Sequence, residues 1–277
     1  MSETLKLFKE SKYYSTKHIK YFKNYDEILF SYKDKEITFV EIGILNGGSL
    51  SIWKKFLGDK ARIIGIDLNP ECKKFQKDGY EIFIGSQSDP KFWENFFNIV
   101  GKVDVILDDG GHTNLQQIST LVNCVPHIKD GGILITEDTH TSYMDQFANP
   151  SKYSFINFSK KLIDDINYTF PNIGKSEFSL NKYIYSIEYF ESIVVFKIDL
   201  NRCYINEPIT NNQDSFNHLD YRYGNNKKIN YLKNKLRFLK RNILIKKLSL
   251  ICVNKFLKYY KILKNSSETK IYKKYFK

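Results

Sequence analysis

Six acids and one histidine carry the chemistry this sequence offers: Glu41, Asp67, Asp108, Asp109, Glu137, Asp138 and His112. The acids sit at the ends of short apolar runs, in "ITFVEIG", "ARIIGIDL", "VDVILDD" and "GILITED". Carboxylates placed there cost free energy unless a cation, a donor or a ligand compensates them. A rim of six would repel a pyrophosphate and suit a cationic ligand together with a hard metal ion, since carboxylate oxygens without nearby cysteine favour Mg²⁺ over zinc. Taken one at a time, each acid is equally a helix cap facing water. His112 follows Asp109 by three positions, and histidine is the side chain whose charge changes near neutral pH, which makes it a candidate general base. The alternative is a loop histidine capping the next helix. His140, in "EDTHTSY", is a rival base or a substrate contact, whereas His18, His127 and His218 lack such a context and read as structural.

The elements that must position these residues alternate from residue 37 onward: apolar runs at 37–43, 61–68, 80–85, 103–109 and 132–138, with helix-like stretches at 49–57, 91–100 and 114–128 between them. Continuous apolar strands separated by helices predict an α/β fold, a mostly parallel sheet covered on both faces. "KYIYSIEYF" (182–190) and "ESIVVFKID" (191–199) follow each other directly and predict a closing antiparallel hairpin. In such sheets ligands bind at the carboxyl ends of the strands, where every candidate above falls. After the first strand, "EIGILNGGS" brings Gly43, Gly47, Gly48 and Ser49; it lacks the G-x-G-x-x-G of a dinucleotide site. Asp67, at the end of the second strand, is placed to hold ribose hydroxyls. "GSQSD", after the third, offers Ser86, Gln87 and Ser88 to an adenine edge.

Net charge is +12, but it is not spread evenly: residues 226–277 hold 17 Lys or Arg against one acid, so the rest of the chain is mildly acidic. Only five of the 43 basic residues are Arg, the residue suited to bidentate phosphate or guanine contacts. Lysines interleaved with Leu232, Leu236, Leu239, Ile243 and Leu248 predict a basic amphipathic helical tail over 225–277, suited to an anionic membrane surface or to packing on the body or a sister subunit. Residues 1–31, rich in Tyr, Phe and Lys, predict a helical cap or a lid over the substrate, and 32–224 the central domain. Four separated cysteines without a C-x-x-C pair, and a start without an apolar core, place the chain in the cytoplasm, with the tail as a contact to the inner membrane face.

Taken together, "VEIGILNGGS", "IGIDLNPEC", "IGSQSDPKF", "DVILDDGGHTN", "GGILITEDTHTSY" and "IDDINY" resemble the class I S-adenosylmethionine-dependent, metal-dependent sugar O-methyltransferases of the macrolide (mycinamicin) type, over about residues 37–200. The resemblance implies a Rossmann-like seven-stranded sheet, S-adenosyl-L-methionine and Mg²⁺ as cofactors, and O-methylation of a sugar hydroxyl. It implies Asp109, Glu137 and Asp138 as metal ligands and His112 as the base. Glu41, Gly43, Gly47, Ser49, Asp67, Gln87, Ser88 and Asp108 fall on the cofactor side, and His140 and Tyr143 near the substrate. Gly111 departs from the family's usual Ser. The expected acceptor is a nucleotide-activated hexose or heptose of a bacterial surface polysaccharide, and the expected assembly a homo-oligomer. Two other classes compete: an RNA methyltransferase gripping its substrate with the basic tail, and a non-catalytic membrane-peripheral binding module. The acidic rim disfavours the RNA enzyme, whose acceptor cleft would be basic.

Overall fold

The computed structural model describes residues 2–147, 152–171, 173–211 and 213, with positions 231, 255, 259 and 273–276 beyond them. The chain divides into two compact units, 1–208 and 209–277. The expected amphipathic tail helix lies outside the described residues. Among the described residues no helix is long and apolar enough to cross a membrane.

The first unit holds seven strands: β1 (Thr38–Ile42), β2 (Arg62–Asp67), β3 (Glu81–Ile84), β4 (Val103–Asp108), β5 (Ile128–Thr136), β6 (Ile184–Phe190) and β7 (Ile193–Ile198). Their order across the sheet is β3-β2-β1-β4-β5-β7-β6. The first five are parallel, and β7 runs antiparallel between β5 and β6. The expected parallel sheet and closing hairpin are both present. Strand order reverses at β1, whose neighbours are β2 and β4, so a crevice opens at their carboxyl ends.

The helices are α1 (Glu3–Lys9), α2 (Tyr21–Leu29), α3 (Gly48–Leu57), α4 (Pro90–Val100), α5 (Asn114–Cys124) and α6 (Phe155–Asn167). The strands read as unbroken apolar runs because alternate residues enter different cores. Phe39, Ile63, Leu107, Ile135 and Val195 pack with Tyr25, Leu29, Trp53 and Phe56 on one face. Val40, Ile64, Ile106, Leu134 and Val194 pack with Trp93, Phe96, Leu121 and Leu162 on the other. The helix expected over 114–128 ends at Cys124, because Pro126 cannot continue it; a 3-10 turn, Val125–His127, leads into β5. His127 stacks on Phe97, with ring centroids 4.2 Å apart.

The expected cap is two helices rather than one continuous helical stretch. Between them residues 11–18 are not helical. Ser11 Oγ donates to the Gly48 carbonyl at 2.9 Å, which ties this segment to the start of α3. Helix α2 belongs to the core, with Tyr25 and Leu29 fully buried, while the segment before it runs to the site.

Candidate active site

A cavity of about 510 Å³ opens at the carboxyl ends of β1, β2, β4 and β5, a size typical of small-molecule sites. On one side is the loop after β1. Gly43 has φ +84°, and a Cβ there would lie 2.1 Å from the Asp109 carbonyl oxygen, so only glycine lets β1 and β4 leave the sheet this close together. Asp67 anchors the loop: Oδ2 accepts from the backbone of Ile44 (3.0 Å) and Leu45 (3.1 Å), and Oδ1 from Asn69. Ser49 Oγ donates to Glu41 Oε2 at 2.7 Å. Burial lifts the Glu41 carboxyl to about 7, with Lys17 opposing the rise and Asp109 adding to it.

The two acids ending β4 face different surroundings. Asp108 is buried; its Oδ1 accepts from Gln87 Nε2 (2.8 Å) and from the Gly110 backbone, and Gln87 Oε1 accepts from the Gly111 backbone. Burial raises the Asp108 carboxyl, and Oδ2 has no hydrogen-bond partner among the described residues. Asp109 faces the cavity. His112 follows at φ +59° and Asp138 sits at φ +53°, both at positive φ, which is uncommon outside glycine although Asp and His enter it more readily than most. Strain of this kind collects at functional sites. Thr113 then starts α5 with a capping box to Gln116, so it is Thr113, not His112, that caps the helix.

Lys17, from the segment between α1 and α2, enters the acid cluster with its side chain only 3% exposed. Its Nζ donates to Asp109 Oδ2 at 2.6 Å and to Glu137 Oε2 at 3.0 Å, and lies 3.8 Å from Glu41 Oε1. Burial opposes its charge, but Asp109, Glu137 and Glu41 outweigh burial and raise its pKa above the ordinary lysine value. One ammonium cannot balance three carboxylates; burial accordingly pushes Glu137 well above the usual carboxylate range, against the pull of Lys17. Tyr25 Oη donates to Glu137 Oε1 and Tyr21 Oη to Asp138 Oδ1, each at 2.6 Å. Both phenols are raised by burial and by these acids.

Of the expected site residues, Gly43, Ser49, Asp67, Gln87, Asp109, His112, Glu137 and Asp138 line the cavity. Glu41, Gly47, Ser88, Asp108, His140 and Tyr143 are not on its wall; Glu41 and Asp108 stand behind it, and the Tyr143 ring is exposed. Ligand atoms of Asp109, His112 and Asp138 lie within 4.8 Å of one another and offer two carboxylates and an imidazole to a cation. His18, read from sequence as structural, faces Asp138, with Nε2 3.8 Å from Oδ1. Lys17, Tyr21 and Tyr25 carried no signal in the sequence, because their partners lie 92 to 120 positions away.

Residues 40–139 match the family described as a methyltransferase domain. Over this stretch the chain is similar to methyltransferase domains. That match begins in β1 and ends just past Asp138, so it takes in the strand-end residues of the cavity but not the lining from residues 14–21. The chain is 30% identical over 159 residues to the mycinamicin VI 2''-O-methyltransferase of Micromonospora griseorubida, covering 52% of this chain and 39% of that one. It is 25% identical over 154 residues to the 8-demethyl-8-alpha-L-rhamnosyl tetracenomycin-C 2'-O-methyltransferase of Streptomyces olivaceus, covering 52% and 40%. The chain thus spans about two fifths of the length of these curated relatives. The MycE methyltransferase of the mycinamycin pathway, solved in complex with Mg, SAH and mycinamycin VI, superposes with a TM-score of 0.65 at 23% identity, covering 78% of this chain and 57% of that one. The chain shares the fold of that enzyme over the superposed part.

Proposed function

We propose that this chain transfers a methyl group from S-adenosylmethionine to a sugar hydroxyl, assisted by a divalent cation. One observation carries the reading: a single cavity has the Asp67-anchored loop on one wall and Asp109, His112 and Asp138 on the other. The residues fit the groups this requires. Gly43 lets the loop after β1 pass against the Asp109 carbonyl, and Asp67 Oδ1, which takes one backbone donor, keeps an acceptor site for a ribose hydroxyl. The acidic surroundings favour a sulfonium over a pyrophosphate. Asp109 and Asp138 would offer hard oxygen donors to Mg²⁺, and Glu137, whose oxygens take Lys17 and Tyr25, would be a third ligand once Lys17 is displaced.

Bound S-adenosylmethionine supplies an electrophilic methyl group, and the cation supplies Lewis acidity that favours the ionised form of a hydroxyl beside it. The chain's own residues do the remaining work. His112 accepts the hydroxyl proton at a ring nitrogen. Its Nε2 lies 3.4 Å from Asp138 Oδ2, so the imidazolium formed faces a carboxylate. Tyr21 holds that carboxylate through Oδ1. The oxygen gains the methyl group, S-adenosylhomocysteine leaves, and the proton passes from His112 to solvent.

The relatives' names state 2''-O-methylation of mycinamicin VI and 2'-O-methylation of a rhamnosyl tetracenomycin C. For this chain we keep a nucleotide-activated hexose or heptose as the acceptor. The test offers S-adenosylmethionine with nucleotide sugars, glycosylated macrolides and RNA, and reads the methyl gain by mass spectrometry. Methylation of a sugar, abolished by EDTA and restored by Mg²⁺, is the expected result. Methylation of RNA alone, or failure to bind S-adenosylhomocysteine, overturns the reading.

A further inference from the structure

Asp138 presents its two oxygens to two different groups of side chains. Oδ2 faces His112. Oδ1 faces His18 Nε2 at 3.8 Å and His140 Nδ1 at 3.9 Å. These separations are too long for hydrogen bonds. They are a few tenths of an ångström wider than the roughly 3.3–3.6 Å between donor atoms of a tetrahedral ion bound at about 2.0–2.2 Å, a gap that small side-chain rotations close. One ligand atom from each of His18, Asp138 and His140 lies within 4.8 Å of the other two. His140 Nδ1 is buried with no hydrogen-bond partner among the described residues, a costly state for an imidazole nitrogen that nothing fills. Tyr21 Oη donates to the same Asp138 oxygen at 2.6 Å, the kind of outer hydrogen bond that fixes a ligating carboxylate.

We propose that His18, Asp138 and His140 form a second cation site, distinct in chemistry from the carboxylate-rich one and selective for a transition metal such as Zn²⁺ or Co²⁺. Two imidazoles and one carboxylate are a donor set that Mg²⁺ seldom takes and that first-row transition ions prefer. The third donor comes from the segment between α1 and α2, on which the His18 side chain is 64% exposed. An ion here therefore cross-links that segment to the rim at Asp138 and His140, beside the point where Lys17 enters the acid cluster. The site needs neither bound S-adenosylmethionine nor a sugar, although it shares the Asp138 carboxylate with the carboxylate-rich site.

The experiment titrates Co²⁺ into the full chain in saturating Mg²⁺, following the visible absorption of the Co²⁺ complex, with Zn²⁺ calorimetry in parallel. One equivalent should bind, and His18→Gln and His140→Gln should each weaken it by at least about 10- to 100-fold, the loss seen even for partners one shell further out. The exposed His18 ring makes His18→Gln the variant that keeps the test valid should His140→Gln fail to fold, and a thermal melt checks both. Unchanged affinity in His18→Gln, displacement of Co²⁺ by Mg²⁺, or no Co²⁺ binding overturns the proposal. S-adenosylhomocysteine calorimetry on the same samples separates the two readings: cofactor binding without Co²⁺ binding removes only this site, and the reverse removes only the methyl-transfer reading.

Discussion

Lys17 Nζ and Asp109 Oδ2, 92 positions apart in sequence, meet at 2.6 Å inside the cavity wall. This contact joins the N-terminal segment to the acceptor side of the site. It also gives the acid cluster an internal cation where the resemblance to metal-dependent methyltransferases implies a metal. The two cations cannot share the space between Asp109 and Glu137. The first prediction is that Lys17→Met destabilises the protein by about 3–5 kcal/mol, the usual cost of leaving buried charges unpaired. Millimolar Mg²⁺ should recover part of that loss in the variant and little in wild type. Urea unfolding with and without Mg²⁺ measures both, and a variant as stable as wild type would remove the ammonium from its assigned place.

Glu41 makes a pH prediction. Burial raises its folded pKa to about 7 from 4.5, so its contribution to stability is fully present below the lower value and is lost as pH rises through the upper one. Between about pH 5 and about pH 8 wild type should lose about 3 kcal/mol relative to Glu41→Gln. The melting-temperature difference, variant minus wild type, should therefore climb with pH. A difference that stays flat across this window would mean that Lys17 fully compensates the ionised carboxylate.

Asp67 is predicted to act on cofactor affinity, through the loop it holds as much as through direct contact. Asp67→Ala removes the acceptor for the Ile44, Leu45 and Asn69 backbones. Losing a charged acceptor should weaken S-adenosylhomocysteine binding by about 1.5–3 kcal/mol in calorimetry. Binding as tight as wild type would move the ribose subsite away from β2.

Much of this site was legible because its signals are local. Each strand-end acid follows its own apolar run, so Asp67, Asp109 and Asp138 could be placed at one edge of the sheet before any contact was known. Helix α6 was equally legible, since Phe155, Ile156, Ser159 and Leu162 recur at helical spacing, yet it was not among the expected crossover helices. What the sequence could not show is which acid turns inward. Asp108 and Asp109 are adjacent and identical in type, and only the positions of Gln87 and Lys17 separate them. The same holds for the N-terminal cap: a run rich in Tyr and Lys reads as a helical cap, and the departure of residues 11–18 from helix depends on hydrogen bonds to Gly48 and Asp109 that no local pattern encodes.

The last prediction concerns His112, whose backbone at φ +59° decides how it should be tested. An alanine there would combine loss of the imidazole with strain in the left-handed region, so a slow variant would be ambiguous. Asparagine tolerates that region and cannot act as a base, which makes His112→Asn the informative substitution. It should keep its melting temperature and its S-adenosylhomocysteine affinity while turnover falls by about 10² to 10⁴, the usual contribution of a positioned general base. If the variant loses little rate, the base lies elsewhere, and the neighbouring imidazole of His140, beside the same Asp138 carboxylate, becomes the group to test.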